Sequence, residues 1–180
     1  VWVRCRGLII RDDAGNPSRM LGAHTDLTEL METREKLEAI RLDLKSRLED
    51  VSETNKVALE TAGIGIWLWD LKTNQIVWDD TMLALYELDT SKEPLKYKHW
   101  RNAIHVDDIE FIETKIQRAI RDKKIFRAEI RVPLKSGSIR YIKVAAEIFY
   151  DDEGIPMRMR GANWDITEEK LREQELQRSN

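Results

Sequence analysis

The sequence predicts an α+β architecture: one antiparallel sheet with helices on one face, preceded by a long helix. Three observations carry that expectation. Phe126, Ala128, Ile130 and Val132 alternate with Arg127, Glu129 and Arg131, the period of two that marks a half-buried strand. From Leu27 to Ala62 there is neither glycine nor proline, so a single helix fits the whole stretch. Finally, residues 2–29 return at residues 141–168 with a constant offset of 139 and no gap. The repeat superimposes Asp12, Asp13, Gly15, Pro17, Arg19, Met20, Gly22, Ala23, Asp26, Thr28 and Glu29 on their counterparts. That period is too long for a solenoid unit and suits tandem domains joined by a linker.

The repeat sets the boundaries to expect. Residues 1–29 form the closing hairpin of one domain, 30–56 a linker helix, 57–168 a complete second domain, and 169–180 the start of an outgoing helix. The chain is then a segment of a longer array, and any output domain lies outside it.

Composition narrows the function classes. Of 180 residues, 42% are hydrophobic and 35% charged, enough for one full core with extensions. The formal charge of −3 is small, and Lys and Arg are interleaved with Asp and Glu. That pattern argues against a nucleic-acid or membrane surface. No apolar run approaches the roughly 20 residues of a membrane span, and no signal-peptide pattern is present. A cytoplasmic setting is expected. Cys5 is the only cysteine, which excludes an internal disulfide and CxxC chemistry.

Along the chain, residues 1–11 and 19–25 read as a hairpin around Asp12-Asp13-Ala14-Gly15-Asn16-Pro17, a run dense in turn formers. At Asp26-Leu27-Thr28-Glu29 the strand gives way to a helix. Asp26 is placed as the N-cap, with Glu29 reaching back as a capping box. The same box recurs at Asp165-Ile166-Thr167-Glu168. Asp26, Thr28, Glu29, Asp165, Thr167 and Glu168 are therefore the candidate joint between sheet and outgoing helix. Leu30, Leu37, Leu44 and Val51 fall seven apart, the seam of a parallel two-stranded coiled coil and so of a homodimer. The companion positions Leu27, Arg34, Arg41, Leu48 and Asn55 are mixed, which keeps open a helix packed on its own domain.

Gly63 and Gly65 end that helix. Ile64–Asp70 reads as a strand with Trp67 and Trp69 on one face, and residues 75–78 as a second strand. Asp79-Asp80-Thr81 offers caps for a short helix carrying Met82, Leu83, Leu85 and Tyr86. After Pro94, His105-Val106-Asp107-Asp108 opens a longer helix with an apolar stripe of Ile109, Ile112, Ile116, Ala119 and Ile120. Asp107 with Glu110 is its expected capping box. Strands at 125–132, 139–150 and 157–164 complete a meander. Two strands, several helices and a three-strand meander make an α+β domain.

This order of landmarks closely resembles a PAS domain with its PAC-type C-terminal half. The matching residues are Gly65-Ile66-Trp67-Leu68-Trp69-Asp70, Trp100 with Ile104-His105-Val106-Asp107-Asp108, Asp152 with Gly154 and Pro156, and Gly161 with Asp165-Ile166-Thr167-Glu168. Val106 stands where many relatives carry proline. The resemblance implies a five-stranded antiparallel sheet cupping a small cavity beneath the helices. It also implies a regulatory task upstream of a histidine kinase, diguanylate cyclase or phosphodiesterase domain. No phospho-acceptor histidine box, GGDEF or EAL signature, phosphate loop or triad is found within the chain, so an enzyme is not expected.

For a cup of this size the candidate ligand-lining residues are Trp67, Met82, Tyr86, Ile112, Ile116, Phe126, Ile130, Val144 and Met159. They can equally be plain core, because an indole or a Met fills space as well as it binds. No cofactor is assigned. His105, which could ligate haem as a helix histidine does in some relatives, reads instead as an anchor of the helix entry, as does His99. Cys5 lies on a late strand where the second copy has Val144, and the helix motif carrying the flavin-adduct cysteine of light-sensing relatives has no counterpart. The carboxylate pairs Asp79-Asp80 and Asp107-Asp108 sit where helices need caps, so no metal site is expected. Two classes remain open: a sensory or relay module acting on a downstream effector of the same polypeptide, and a structural spacer that only dimerises.

Overall fold

The computed structural model describes residues 1–90 and 93–178; the last two residues of the expected outgoing helix lie outside them. The chain divides into two units, residues 1–55 and 56–180. In the first, β1 (Val3–Arg11) and β2 (Pro17–Asp26) form an antiparallel hairpin followed by α1, which runs unbroken over Thr28–Thr61, its residues from Lys56 onward belonging to the second unit. One helix therefore fills the Gly- and Pro-free stretch. Leu30, Leu37, Leu44 and Val51 are all more than half exposed, and α1 buries no residue. Both faces of the hairpin are exposed as well.

In the second unit, β3 (Ile64–Asp70), β4 (Ile76–Trp78), β5 (Phe126–Pro133), β6 (Ile139–Tyr150) and β7 (Pro156–Asp165) form a five-stranded sheet in the order β4-β3-β7-β6-β5. Every neighbouring pair is antiparallel. The alternation in β5 does what its pattern required: Phe126, Ala128, Ile130 and Val132 are buried and the intervening charges face outward. Ile142, Val144, Ala146 and Ile148 bury the same face of β6.

Among the described residues, three helices lie between β4 and β5: α2 (Asp80–Tyr86), α3 (Tyr97–Ala103) and α4 (Val106–Asp122). Met82, Leu85 and Tyr86 of α2, and Ile112, Ile116 and Ala119 of α4, close the core over the sheet. Ile109 and Ile120 flank them, partly buried. Two close approaches fix the layers. A Cβ on Gly65 would stand 2.7 Å from Met82 Cγ, and one on Gly161 would stand 2.5 Å from Trp67 Cζ2. Glycine at both positions lets α2 and the Trp67 indole lie directly on the sheet. The last helix, α5, spans Thr167–Arg178.

Helix entries differ in detail from the sequence reading. Asp79 does cap α2: its Oδ1 accepts from Met82 N at 2.8 Å, and its Oδ2 accepts from Ile66 N at 2.8 Å. At α4 the cap is His105 rather than Asp107, with Nδ1 accepting from Asp107 N at 3.2 Å. Asp108 turns away to Arg131, whose Nη2 is 2.6 Å from Oδ1. The guanidinium holds the Asp108 carboxyl below the usual carboxylate range, against a smaller opposing effect of burial. His99 accepts from Lys96 N at 2.9 Å where α3 begins. Both histidines therefore serve helix starts, since an unprotonated ring nitrogen is an acceptor for a free amide. Among the described residues no helix is long and apolar enough to cross a membrane.

Candidate functional site

Two features of the second unit converge: a cup inside the sheet, and the joint where the sheet becomes α5. The cup is bounded by Trp67 and Trp69 of β3, Ile76 and Trp78 of β4, Met82, Tyr97, Trp100, Ile116, Phe126, Val144, Met159 and Asn163. Of the nine sequence candidates, Trp67, Met82, Ile116, Phe126, Val144 and Met159 border it. Tyr86, Ile112 and Ile130 are buried in the surrounding core and do not. They belong to the same apolar faces, but their side chains end against neighbouring core residues instead of in the space. The enclosed volume is about 30 Å³. Small-molecule sites commonly enclose about 300–1,000 Å³, whereas a water needs only about 10–15 Å³. As it stands, the cup is a packed interior.

A polar thread runs through its wall. Asn163, 1% exposed, accepts from Trp67 Nε1 at 2.7 Å and donates from Nδ2 to the Tyr86 hydroxyl at 2.6 Å. Trp100 Nε1 donates to the same hydroxyl at 3.3 Å. Burial pushes the Tyr86 phenol well above its ordinary range, outweighing these two donors. Two tryptophans of the cup, Trp67 directly and Trp100 through the Tyr86 hydroxyl, are thus linked to a buried amide that no local pattern singles out. Its signal in the sequence is a lone polar residue on the inward face of an apolar strand. On the outer side, Trp69 stacks on Tyr97 with ring centroids 4.7 Å apart, and Tyr97 donates to Glu113 Oε1 at 3.0 Å.

The joint is built twice. In the second copy, Ile166 N donates to Tyr141 O at 2.8 Å, and Tyr141 N donates to Thr167 Oγ1 at 2.9 Å. Asp165 Oδ1 accepts from Thr167 N at 2.8 Å and from Thr167 Oγ1 at 2.5 Å. Lys170 N donates to Ile166 O at 2.9 Å, the first bond of α5. Each bond has its counterpart 139 residues earlier. Leu27 N donates to Trp2 O at 2.7 Å and Trp2 N to Thr28 Oγ1 at 3.0 Å. Asp26 Oδ1 accepts from Thr28 N and Oγ1 at 2.8 and 2.6 Å, and Met31 N donates to Leu27 O at 2.9 Å.

This corrects the expected capping box. The first helical carbonyl is that of Leu27 or Ile166, so the aspartate stands one residue before the cap and closes a turn onto the threonine. The back-bond assigned to glutamate is absent: Glu168 pairs with Arg172 and Glu29 is exposed. Threonine takes that place because its hydroxyl can donate to the aspartate while accepting from a strand amide. The Thr28 hydroxyl and amide also hold the Asp26 carboxyl below its ordinary range.

In the second copy the joint is tied to the end of α2. Arg140 Nε lies 3.2 Å from Asp165 Oδ2, and Arg140 Nη1 donates to Leu85 O at 2.5 Å and Ala84 O at 3.1 Å. One guanidinium therefore bridges the end of α2, next to Tyr86, and the entry of α5. Lys170 of α5 meets Glu129 of β5 at 2.6 Å. Arg140, Tyr141 and Lys170 carry no motif of their own, and only the folded neighbourhood reveals them.

Comparison with known proteins agrees with this geometry. Residues 75–163 match a family described as the PAS fold. The chain is 31% identical over 170 residues to a probable diguanylate cyclase, DgcE, of Escherichia coli, covering 94% of the chain and 14% of the cyclase. It is 30% identical over 115 residues to the sensor protein FixL of Bradyrhizobium diazoefficiens, covering 64% of the chain and 23% of that protein. The chain thus spans less than a quarter of the length of either relative. A sensory box histidine kinase/response regulator from Burkholderia thailandensis shares the fold, with a TM-score of 0.60 at 24% identity, covering 69% of this chain and 92% of the solved one. With a five-stranded antiparallel sheet closed by helices over an aromatic cup, and with these matches, the second unit of the chain is a PAS-fold domain, similar to segments of these signalling proteins.

Proposed function

We propose that the chain is a relay module that dimerises through α1 and passes a change of sheet geometry into its outgoing helix, toward an effector domain of the same polypeptide. The observation that carries this reading is the duplicated joint. The same five hydrogen bonds tie strand to helix at Trp2–Met31 and at Tyr141–Lys170. A joint of that stiffness makes the helix follow the strand. Arg140 supports a route from α2 to α5 that a passive spacer would not need. The small volume of the cup favours a relay that works without a resident ligand; binding would require the Trp69–Tyr97 lid to part. In this reading catalysis belongs to the effector domain, and the segment works in the cytoplasm.

Helix phase tests the proposal. In the intact signalling protein, seven residues inserted after Lys45 should preserve regulation of the output, because the heptad seam returns to register. One or two inserted residues should scramble it, since each turns the helix by about 100°. Identical behaviour of all these insertions would reduce α1 to a tether and favour the structural spacer.

A further inference from the structure

Trp69, Tyr97 and Ile116 border the cup and also line an open groove of about 610 Å³. That volume falls within the range of about 300–1,000 Å³ common to small-molecule sites. Trp69 and Tyr97 stack with their ring planes 18° apart and stay partly exposed, while Ile116 is buried at 4% exposure. α4 supplies the remaining lining residues, Glu110, Glu113, Thr114 and Gln117. Their spacing of i, i+3, i+4 and i+7 sets them on one face of the helix. The charge of the groove has a single sign, since among the described residues no lysine or arginine lines it. Glu113 Oε1 accepts from the Tyr97 hydroxyl at 3.0 Å and from Arg101 Nε at 2.8 Å. This carboxylate is therefore fixed beside the aromatic stack and partly neutralised. Glu110 is exposed and makes no ion pair among the described residues. Where α4 ends, a separate groove has the opposite sign, lined by Lys115, Arg118, Lys124 and Arg127 with Asp122.

We infer that the groove between the Trp69–Tyr97 stack and α4 binds a small amphipathic organic cation, an arylalkyl ammonium. Its apolar body lies against Trp69, Tyr97 and Ile116, which offer aromatic and aliphatic area at the groove wall. Its ammonium donates charge-assisted hydrogen bonds to the Glu110 carboxylate and to Glu113 Oε2, the oxygen that neither Tyr97 nor Arg101 uses. An anion of the same shape is repelled by the two carboxylates, and a neutral one gains only the apolar contact. Because three lining residues also border the cup, the ligand bears on the cup's wall without entering its 30 Å³. The site needs no parting of the Trp69–Tyr97 stack.

The Trp69 indole is the reporter, its Nε1 donating to Asn74 Oδ1 at 3.0 Å. The 180-residue protein is titrated at pH 7 with 2-phenylethylammonium and, separately, with the neutral 2-phenylethanol, at ionic strength matched with sodium chloride. The indole N–H resonance is followed by NMR and identified by its loss in Trp69→Phe. The ammonium should shift it saturably and bind about three- to fivefold more tightly than the alcohol, the advantage of an exposed ion pair. Glu110→Gln, at an exposed position, should bring the ammonium down to the affinity of the alcohol. A response that does not saturate overturns the proposal. So does equal affinity for the two probes, or an undiminished ammonium affinity in Glu110→Gln. The readout lies wholly in the second unit, so its failure leaves the relay reading of α1 untouched, and the reverse.

Discussion

Among the described residues, Asn163 is the one polar side chain inside the core, and its amide satisfies two aromatic partners at once. Replacing it by leucine keeps the volume but strips the Trp67 indole of its acceptor and the Tyr86 hydroxyl of one donor. A buried group left without its partner costs about 1–3 kcal/mol. Urea melts should therefore place Asn163→Leu below wild type by about that amount. A variant within 0.5 kcal/mol, roughly the scatter of surface changes, would mean that water or a shifted ring replaces the amide. His105 and His99 make a complementary point. Their identities invite a cofactor, yet the acceptor nitrogen of each serves a backbone amide at a helix entry.

Elements differ sharply in how far they depend on their surroundings. The sheet of the second unit has its own helices, and all of its inward side chains come from residues after Lys56. A fragment beginning at Asn55 should keep a cooperative thermal transition. Its loss would show that the hairpin or the first part of α1 belongs to the same cooperative unit. The β1–β2 hairpin has the opposite character. Its counterparts β6 and β7 are paired on their outer edges by β5 and β3, whereas among the described residues β1 and β2 pair only with each other. Two strands are at best marginally stable in water. Gly22 matches Gly161, where an indole fills the missing Cβ, whereas a Cβ on Gly22 would meet only the Arg6 carbonyl, at 3.4 Å.

At the level of the molecule, α1 is a 34-residue helix with no buried side chain. Helices of that length are held by tertiary packing of an apolar face more than by propensity, and Leu30, Leu37, Leu44 and Val51 offer such a face at heptad spacing. Light scattering of the whole chain should give twice the 21.2 kDa of one protomer. Leu37→Arg combined with Leu44→Arg should return it to one protomer, because two charges in a seam cannot be buried without partners. A monomeric wild type at high concentration, or an unaltered mass in the double variant, would move the dimer contact away from this seam.

Much of the fold is legible in the residues because secondary-structure periodicity is local. The alternation at 126–132 specifies β5 and which of its side chains face inward, and the Gly- and Pro-free run specifies one helix. The repeat places two strand-to-helix joints with matching residues. The cup is less legible: Trp69, Ile76, Trp78, Tyr97, Trp100 and Asn163 join it only because β4, β3 and β7 are neighbours in the sheet and α3 comes down beside them. For the same reason the sequence names Asp165 and Thr167, while Arg140 and Tyr141 enter with the fold. By itself the sequence determined the elements, their inward faces and the duplicated joint, all encoded in spacings of two, seven and 139 residues. Only the tertiary structure decided that the cup is packed to about 30 Å³ and that threonine closes each joint, because volume and hydrogen-bond geometry arise from segments far apart in the chain.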